Sequence, residues 1–430
     1  MINLTDIPYQ NSYQTMVTEL NCSSFDDECI LPECITQEKF DFYLNYIWWM
    51  DGVGSLVIGL VGILFNLTTI VVVLGSELAA NFFNWLLVFL AIFDNLFLLN
   101  RILESFRNHF VSTELHNYVF VSFLYYFQTV TMCCSEYMKI LLAFERYNAL
   151  APPFEFQRAN AWHSVTLREY FSLHKIRLMK YVGPVIVFVS AFYIPKTMEL
   201  QLVEERNHSV INGTELRNND AYISWYLNFA NILVTVVVPL TTVVYLNINI
   251  AIKLKRHVDT RPQSRVGSTT TRQEDQMTTV PKEVTRRERN MVQQTMMLFA
   301  IVILYLICHT PRTILNIEEL ATLKDVKMAK ERKCVWLQYW TLIALPISHI
   351  LLQVNSGTNL FIYCLFNSLF RKALRYKFKK ILSFIKSRSI VRERNSNAQV
   401  QTKLEPVARE NLHGTNSTVE QSINNIELVE

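Results

Sequence analysis

Three charged side chains lie in stretches that are otherwise apolar, where a charge is stable only if it has a partner. Asp94 falls inside the second apolar stretch, and Glu145-Arg146-Tyr147 ends the third. A carboxylate beside a guanidinium at the end of an apolar segment can exchange partners between two states of a protein. This pattern predicts a conformational switch that an intracellular partner reads.

Asp94 is accompanied by oxygen-bearing side chains in two later apolar stretches, and Asn66 can add a donor. The set predicted to gather around it is Ser135, Asn355, Ser356 and Asn359. Oxygen ligands around one carboxylate suit a hard cation. The alternative is a protonated Asp94 in a hydrogen-bond network. Both readings make these residues a polar switch core.

A second charged pair, Glu136 and Lys139, lies in the third apolar stretch. Residues three apart on a helix are neighbours, so the two are predicted to pair. The alternative is that Lys139 reaches toward Asp94.

Seven apolar stretches must position these residues. The chain has 430 residues, of which 50% are hydrophobic and only 18% charged. Stretches of about 20 apolar residues can cross a membrane as helices. We place them near 52–74, 83–103, 118–147, 178–198, 224–251, 292–316 and 338–365. The predicted fold is an all-α membrane protein, a seven-transmembrane helix bundle with a short amphipathic cytoplasmic helix.

Charge and glycosylation sequons predict the orientation. Acidic residues dominate the first 50 positions, whereas the 253–289 loop is rich in Lys and Arg. Basic loops stay in the cytoplasm, so the N-terminus is expected outside and the C-terminus inside, in the plasma membrane. Sequons on the outer side support this at Asn3, Asn21, Asn207 and Asn212. The net charge of +4 is thus an inside-outside asymmetry and no sign of nucleic-acid binding.

Four segments are predicted along the chain. They are an extracellular glycosylatable arm (1–49), the seven-transmembrane domain (50–366), an amphipathic membrane-surface helix (367–387) and a disordered cytoplasmic tail (388–430). The polar 254–285 loop is also expected to be disordered. In the amphipathic helix the apolar face would hold Phe370, Leu374, Phe378, Ile381 and Ile385.

The cysteines fall into two groups of four. Those inside the apolar stretches are expected to be packing residues. Cys22, Cys29, Cys34 and Cys334 face the oxidising side and are disulfide candidates. Four cysteines allow three pairings, which stay open.

Several short motifs follow one another in the order of the spans. They are Asn66, Leu90-Ala-Ile-Phe-Asp94, Glu145-Arg-Tyr147, Pro239, Cys308-His-Thr-Pro311 and Asn359-Leu-Phe-Ile-Tyr363. In these motifs the chain resembles the rhodopsin-like G-protein-coupled receptors over roughly residues 50–385. Ile194-Pro-Lys196, the 308–319 stretch and the 355–364 stretch further resemble the invertebrate FMRFamide-type neuropeptide receptors.

The resemblance implies a receptor and no enzyme. Its partners would be an extracellular peptide and a heterotrimeric G protein, with arrestin, receptor kinases and membrane lipid as further ones. Activation would move span six outward and involve Glu145, Arg146, Tyr147, Pro239, His309, Pro311 and Tyr363, with Thr295 able to bond Arg146. No cofactor is implied, apart from an allosteric sodium ion held by Asp94 and its predicted neighbours.

The resemblance also places a ligand pocket. It would be lined by Glu104, Gln128, Arg312, Asn316 and His349, with Glu319 near the rim. Glu104 would bind the arginine of an amidated peptide, unless it pairs with Arg101 or Arg107 on the same helix. The family's usual disulfide between span three and the second outer loop is missing, since Val121 stands at one end and residues 199–222 hold no cysteine. Two alternatives stay open: an orphan or constitutively active receptor for a non-peptide ligand, and a seven-span ligand-gated channel.

Overall fold

The computed structural model describes residues 37–111, 113–149, 167–205, 208–259, 279–325, 338–383 and 386–388. Seven helical spans follow one another along this part of the chain. Span one comprises the helices Gln37–Ile47 and Ser55–Leu74, which are joined by the π-helical segment Trp48–Gly54. Span two is the helix Phe82–His109. Span three comprises the helix Glu114–Val119, the π-helical segment Phe120–Leu124 and the helix Tyr125–Ala149. Spans four and five comprise Leu167–Phe192 with the 3₁₀ segment Ile194–Met198, then π-helical Tyr222–Ala230 and Leu233–Val237 and helix Val238–Asp259. Spans six and seven comprise Thr279–Ala321, then Tyr339–Gly357 and Asn359–Phe366.

Five helices in the described residues are long and apolar enough to cross a membrane. Spans three and seven are not among them, because they carry polar side chains such as Gln128, Glu136, Lys139, His349 and Gln353. All but Gln128 are buried within the bundle. A helix that turns polar groups toward other helices, and not toward lipid, does not need a uniformly apolar sequence.

Spans one and seven approach closely beside the polar interior. A Cβ atom on Gly62 would lie 3.0 Å from the Cα of Gly357 and 2.8 Å from a Leu98 methyl carbon, so a larger residue at this position would require both neighbours to shift. This approach allows polar groups to meet across the two helices. The Gln353 amide donates to Ser55 Oγ at 2.7 Å, and the Asn66 amide donates to the Ser356 carbonyl at 3.1 Å.

Several helices extend beyond their predicted bounds. The helix of span one begins at Gln37, so the predicted arm of residues 1–49 ends in helix. Span five continues to Asp259 and span six begins at Thr279, so both ends of the 254–285 loop are helical where disorder was predicted. Span four is a helix over Leu167–Phe192 that contains Pro184.

Two strands form an antiparallel hairpin between spans four and five. β1 (Leu200–Glu205) pairs with β2 (His208–Gly213), with Leu202 opposite Ile211. We call the end of the bundle that carries it the hairpin end, and the opposite end, where span three finishes, the Arg146 end.

The hairpin is held to span three by apolar packing where a disulfide is missing. Leu200 and Ile211 are buried in one cluster with Phe120 and Leu124, and Val121 packs against it. The Asn117 amide adds a hydrogen bond to the Ser209 carbonyl at 3.4 Å. This cluster joins the two elements that the family's disulfide would connect. The disulfide candidates Cys22, Cys29, Cys34 and Cys334 lie outside the described residues, as do the sequons at Asn3, Asn21 and Asn207, whereas Asn212 is exposed on β2.

Replacing Ile211 with alanine should loosen the hairpin. Truncating a buried Ile to Ala costs about 2–5 kcal/mol, so the hairpin should open more often. Hydrogen–deuterium exchange of residues 200–213 should accelerate at least about tenfold, since 1.4 kcal/mol corresponds to one decade. Val203, on the other face of the hairpin, is 37% exposed, and Val203→Ala should change the exchange little. Equal acceleration in both variants would contradict the packing role.

The chain after span seven turns at Asn367. Its side-chain oxygen accepts from the backbone N–H groups of Leu369 and Phe370, both at 3.1 Å, and caps the following helix. Phe370 was predicted to lie on the membrane surface, but it is 1% exposed and its ring contacts the Tyr363 ring at 5.7 Å. The amphipathic prediction is therefore wrong for Phe370.

Residues 372–383 belong to a second compact unit, a helix that exposes Phe378, Ile381 and Leu382. Ile385 and residues 389–430 lie outside the described residues.

Candidate ligand cavity and switch core

A cavity of about 150 Å³ lies among the spans toward the hairpin end. Five of the six residues predicted for a ligand pocket line it: Glu104, Gln128, Arg312, Asn316 and His349. The sixth, Glu319, is not part of the lining, and its carboxylate lies 3.4 Å from the Arg217 guanidinium. Sequence positions on four different spans thus converge on one space.

The wall on span two is a buried ion cluster. Arg101 hydrogen-bonds Glu104, and its other terminal nitrogen lies 2.9 Å from Asp51 of span one. Asp51 Oδ1 is also 3.2 Å from His349 Nδ1, and its second oxygen is 3.6 Å from His109. The Gln128 amide donates to Glu104 at 2.9 Å. The alternative in which Glu104 pairs with Arg101 is therefore present in this structure, while Arg107 lies over the Phe120 ring.

A second set of polar groups closes the cavity below the hairpin. Glu199 is fully buried and accepts hydrogen bonds from the hydroxyls of Tyr125 at 2.6 Å and Tyr222 at 2.8 Å. Lys196 lines the cavity, lies 3.8 Å from Glu199 and donates to the Tyr125 hydroxyl at 3.2 Å. These hydrogen bonds join the end of span four to spans three and five. The Glu199 carboxylate also balances the charge of the Lys196 ammonium.

His309 forms the inner limit of the cavity, two residues before Pro311 in the helix of span six. His309 lines the cavity and also contacts Glu136, with its Nε2 3.2 Å from the carboxylate. Glu136 accepts from Lys139 through both oxygens at 3.0 Å and from the Asn355 amide at 3.1 Å. Glu136 therefore pairs with Lys139, as predicted. His309 contacts both the cavity and the buried ion pair, so a movement of His309 changes the surroundings of both.

Aromatic contacts hold the His309 ring in place. Tyr305 stacks on it with ring centres 4.2 Å apart and donates its hydroxyl to the Thr235 carbonyl at 2.6 Å. Thr235 lies in the π-helical segment of span five, four residues before Pro239 in the α-helix that follows. Pro311 lies inside the helix of span six, where a proline removes a backbone hydrogen bond and favours a bend.

Asp94 lies further toward the Arg146 end and is fully buried. It accepts from Ser135 Oγ at 2.6 Å and from the Asn359 amide at 2.8 Å, and the Ser356 side chain also hydrogen-bonds it. Asn355, predicted in the same set, instead turns its amide nitrogen toward Glu136. Tyr363 is buried nearby, and its hydroxyl has no hydrogen-bond partner within the described part of the chain.

At the end of span three, Glu145 and Arg146 each contact a different helix and do not pair with each other. Glu145 lies 3.1 Å from Arg177 of span four. Arg146 donates to Gln294 of span six at 2.5 Å, and its guanidinium lies 3.7 Å from the centre of the Phe83 ring. Gln294, one position before the predicted Thr295, is thus a hydrogen-bond partner of the guanidinium. Tyr147 lies under the Lys253 ammonium, 3.5 Å from the ring centre.

Sequence reasoning missed Asp51 and Gln294. An acid at the beginning of an apolar stretch was a usable signal for Asp51, because such a residue needs a partner. The predicted first span instead begins at residue 52, one position after Asp51. Gln294 carried no comparable signal, since an exposed glutamine and one that meets a guanidinium look alike in sequence.

The chain matches known proteins over most of the described spans. A family model described as "7 transmembrane receptor (rhodopsin family)" matches residues 65–363, more than half of the chain. The FMRFamide receptor of Drosophila melanogaster is 23% identical over 352 residues, which cover 78% of this chain and 55% of the relative. The chain therefore spans about half the length of that curated relative.

Proposed function

Because the chain belongs to the rhodopsin family of seven-transmembrane receptors, we propose that it is a G-protein-coupled receptor for an extracellular peptide. Proteins of this family are multi-pass membrane receptors and not enzymes. An FMRFamide-like peptide is the first ligand class to test, because the fly relative is an FMRFamide receptor. In this proposal the hairpin end is extracellular and the Arg146 end is cytoplasmic.

The observation that carries the proposal is the link through His309 between the cavity and the buried polar core. A ligand that fills the cavity must contact or displace His309, which touches Glu136. Glu136 in turn contacts Asn355 of span seven, so ligand contact would alter a junction of spans three, six and seven. A ligand shifts a two-state equilibrium only through such differential contacts.

At the Arg146 end, activation would separate span six from span three. The Arg146–Gln294 hydrogen bond crosses that boundary and would break when span six moves outward, freeing Arg146 for the G protein. Arrestin, receptor kinases and membrane lipid are further partners in this proposal.

The test is a panel of amidated peptides, including FMRFamide, applied to cells that express the receptor with several G-protein subtypes. G-protein activation by a peptide, lost on adding the Arg146→Ala change, would support the proposal. Ionic current without nucleotide exchange would favour the seven-span channel. Strong nucleotide exchange without any added peptide would favour a constitutively active receptor.

Sodium is the ion that the Asp94 site would take. The core holds two carboxylates, Asp94 and Glu136, against one ammonium, Lys139, so an ionised Asp94 leaves room for one more monovalent cation. The oxygens of Asp94, Ser135 and Ser356 are suitable ligands, and the buried Asn355 side-chain oxygen has no partner in the described part of the chain. The predicted ligand Asn359 faces Asp94 through its amide nitrogen.

We therefore expect sodium to oppose agonist binding. If sodium favours the inactive state, replacing N-methylglucamine chloride by sodium chloride should lower agonist affinity severalfold, up to the 5–150-fold typical of about 1–3 kcal/mol of coupling. Asp94→Asn should abolish the difference while the protein still binds agonist. Competition binding in the two salts measures it, and an unchanged sodium effect in Asp94→Asn would exclude this site.

A further inference from the structure

Charge in the cavity is separated between two walls. At the span-two wall, Glu104 of span two and Asp51 of span one flank the single guanidinium of Arg101. Two carboxylates against one guanidinium give that wall one formal negative charge. Lys196 is balanced by Glu199. The remaining charged group in the lining is Arg312 of span six.

Arg312 is a cation without a close anion in the described part of the chain. It makes no hydrogen bond and no ion pair there, and Glu319 and Glu104 act on it only over longer distances. Glu319 instead contacts Arg217, at 3.4 Å. A ligand that seals the cavity removes water from Arg312, and a buried charge is costly unless it gains a partner.

The size of the cavity limits what can enter. A space of about 150 Å³ holds roughly one aromatic ring or one side chain. A whole peptide is larger than this space, so only its end or the charged ends of two neighbouring side chains reach the charged walls. The ligand groups that meet the two walls must lie close together.

We infer that the ligand presents a carboxylate to Arg312 next to a basic group that faces the Glu104 wall. The inference rests on the proposed function, because it treats this cavity as the ligand site, and it adds the charge pattern of the ligand. Arg312 then determines specificity for an acidic group, since a carboxylate can meet a guanidinium through two parallel hydrogen bonds. A neutral amide of the same shape lacks the charge.

Matched short peptides test the inference on purified full-length receptor. Asp-Arg-Phe-amide is compared with Asn-Arg-Phe-amide, and Gly-Arg-Asp-amide with Gly-Arg-Asn-amide, so that each pair differs by one negative charge. Dissociation constants come from the concentration dependence of the thermal stabilisation of the receptor. On the wild type the acidic member should bind about tenfold tighter or more, which corresponds to one hydrogen bond to a charged group.

Three variants locate the effect. Arg312→Gln should reduce the acidic preference to below about threefold, and Arg312→Glu should reverse it in favour of the neutral member. Lys180→Gln, at an exposed lysine of span four, should keep the wild-type preference, which controls for a general loss of positive charge. The Arg312→Glu reversal also separates lost recognition from lost folding, since an unfolded receptor would bind neither member.

The possible outcomes separate the inference from the proposed function. If Arg-Phe-amide peptides bind and signal but Asp and Asn forms bind equally, the inference is overturned and the proposed function stands. If only the Gly-Arg pair binds, with a preference that depends on Arg312, the inference stands and the FMRFamide-like class fails. If no acidic probe binds in an Arg312-dependent way, the inference is overturned.

Discussion

Replacing Lys139 with methionine is expected to destabilise the receptor by about 3–5 kcal/mol, the range for removing one partner of a buried ion pair. Lys139 and Glu136 are 3% and 2% exposed, and the ammonium lies 3.0 Å from both carboxylate oxygens. Without Lys139, Glu136 would keep His309 and the Asn355 amide as its partners among the described residues. A full negative charge in the membrane interior would then be incompletely compensated.

The double variant Glu136→Gln with Lys139→Met tests whether the loss comes from the unpaired charge. Removing both charges should recover most of the stability, because replacing a buried ion pair by neutral groups is often nearly neutral. The coupling energy of the double-mutant cycle should be large. Thermal unfolding in detergent measures each variant, and Lys180→Met, at an exposed lysine of span four, is the matched control. A double variant as unstable as Lys139→Met alone would rule out the charge explanation.

The same change should alter signalling. Glu136 is held by residues of spans three, six and seven, so Lys139→Met weakens a junction that the proposed activation must rearrange. The junction depends on two charged side chains of span three, Glu136 and Lys139, which a purely apolar helix would lack.

The sequence predicted the architecture because its determinants are local. Seven stretches of apolar residues and an inside-outside charge asymmetry need no tertiary information, and the motifs around Asp94 and Arg146 fix their order. The Glu136–Lys139 pair was also predictable, since residues three apart on a helix are in contact. His309 and Asn355 on Glu136 were not, because their contacts depend on how three helices rotate against one another.

Long-range pairings explain the other errors. Arg101 was expected only as a neighbour of Glu104, and its second partner, Asp51, comes from another span. Phe370 fits an amphipathic face by periodicity, yet the turn at Asn367 brings it against Tyr363. The hairpin and its apolar cluster with span three likewise could not be read from the missing cysteines alone. Charge partners, turns and loop packing are set by contacts between elements, which a single sequence does not specify.

Replacing Arg146 with alanine should abolish G-protein activation and leave surface expression close to normal. Arg146 is the cation placed to change partners, since in this structure it joins span three to Gln294 and lies over Phe83 of span two. Alanine removes both the inactive-state contact and the group offered to the G protein, so signalling should fall at any agonist concentration. Agonist-stimulated nucleotide exchange and a surface-labelling assay on the same cells measure the two properties.

Gln294→Ala separates the two roles of Arg146, because it removes the hydrogen bond and keeps the guanidinium. A hydrogen bond to a charged group contributes about 1.5–3 kcal/mol, so losing it should raise the active fraction about tenfold or more when that fraction is small. Basal nucleotide exchange should therefore rise in Gln294→Ala, whereas Gln294→Glu, which places an anion beside Arg146, should lower it. If Gln294→Ala has wild-type basal activity, the Arg146–Gln294 contact does not restrain span six. If Arg146→Ala signals fully, the assignment of Arg146 to G-protein coupling is wrong.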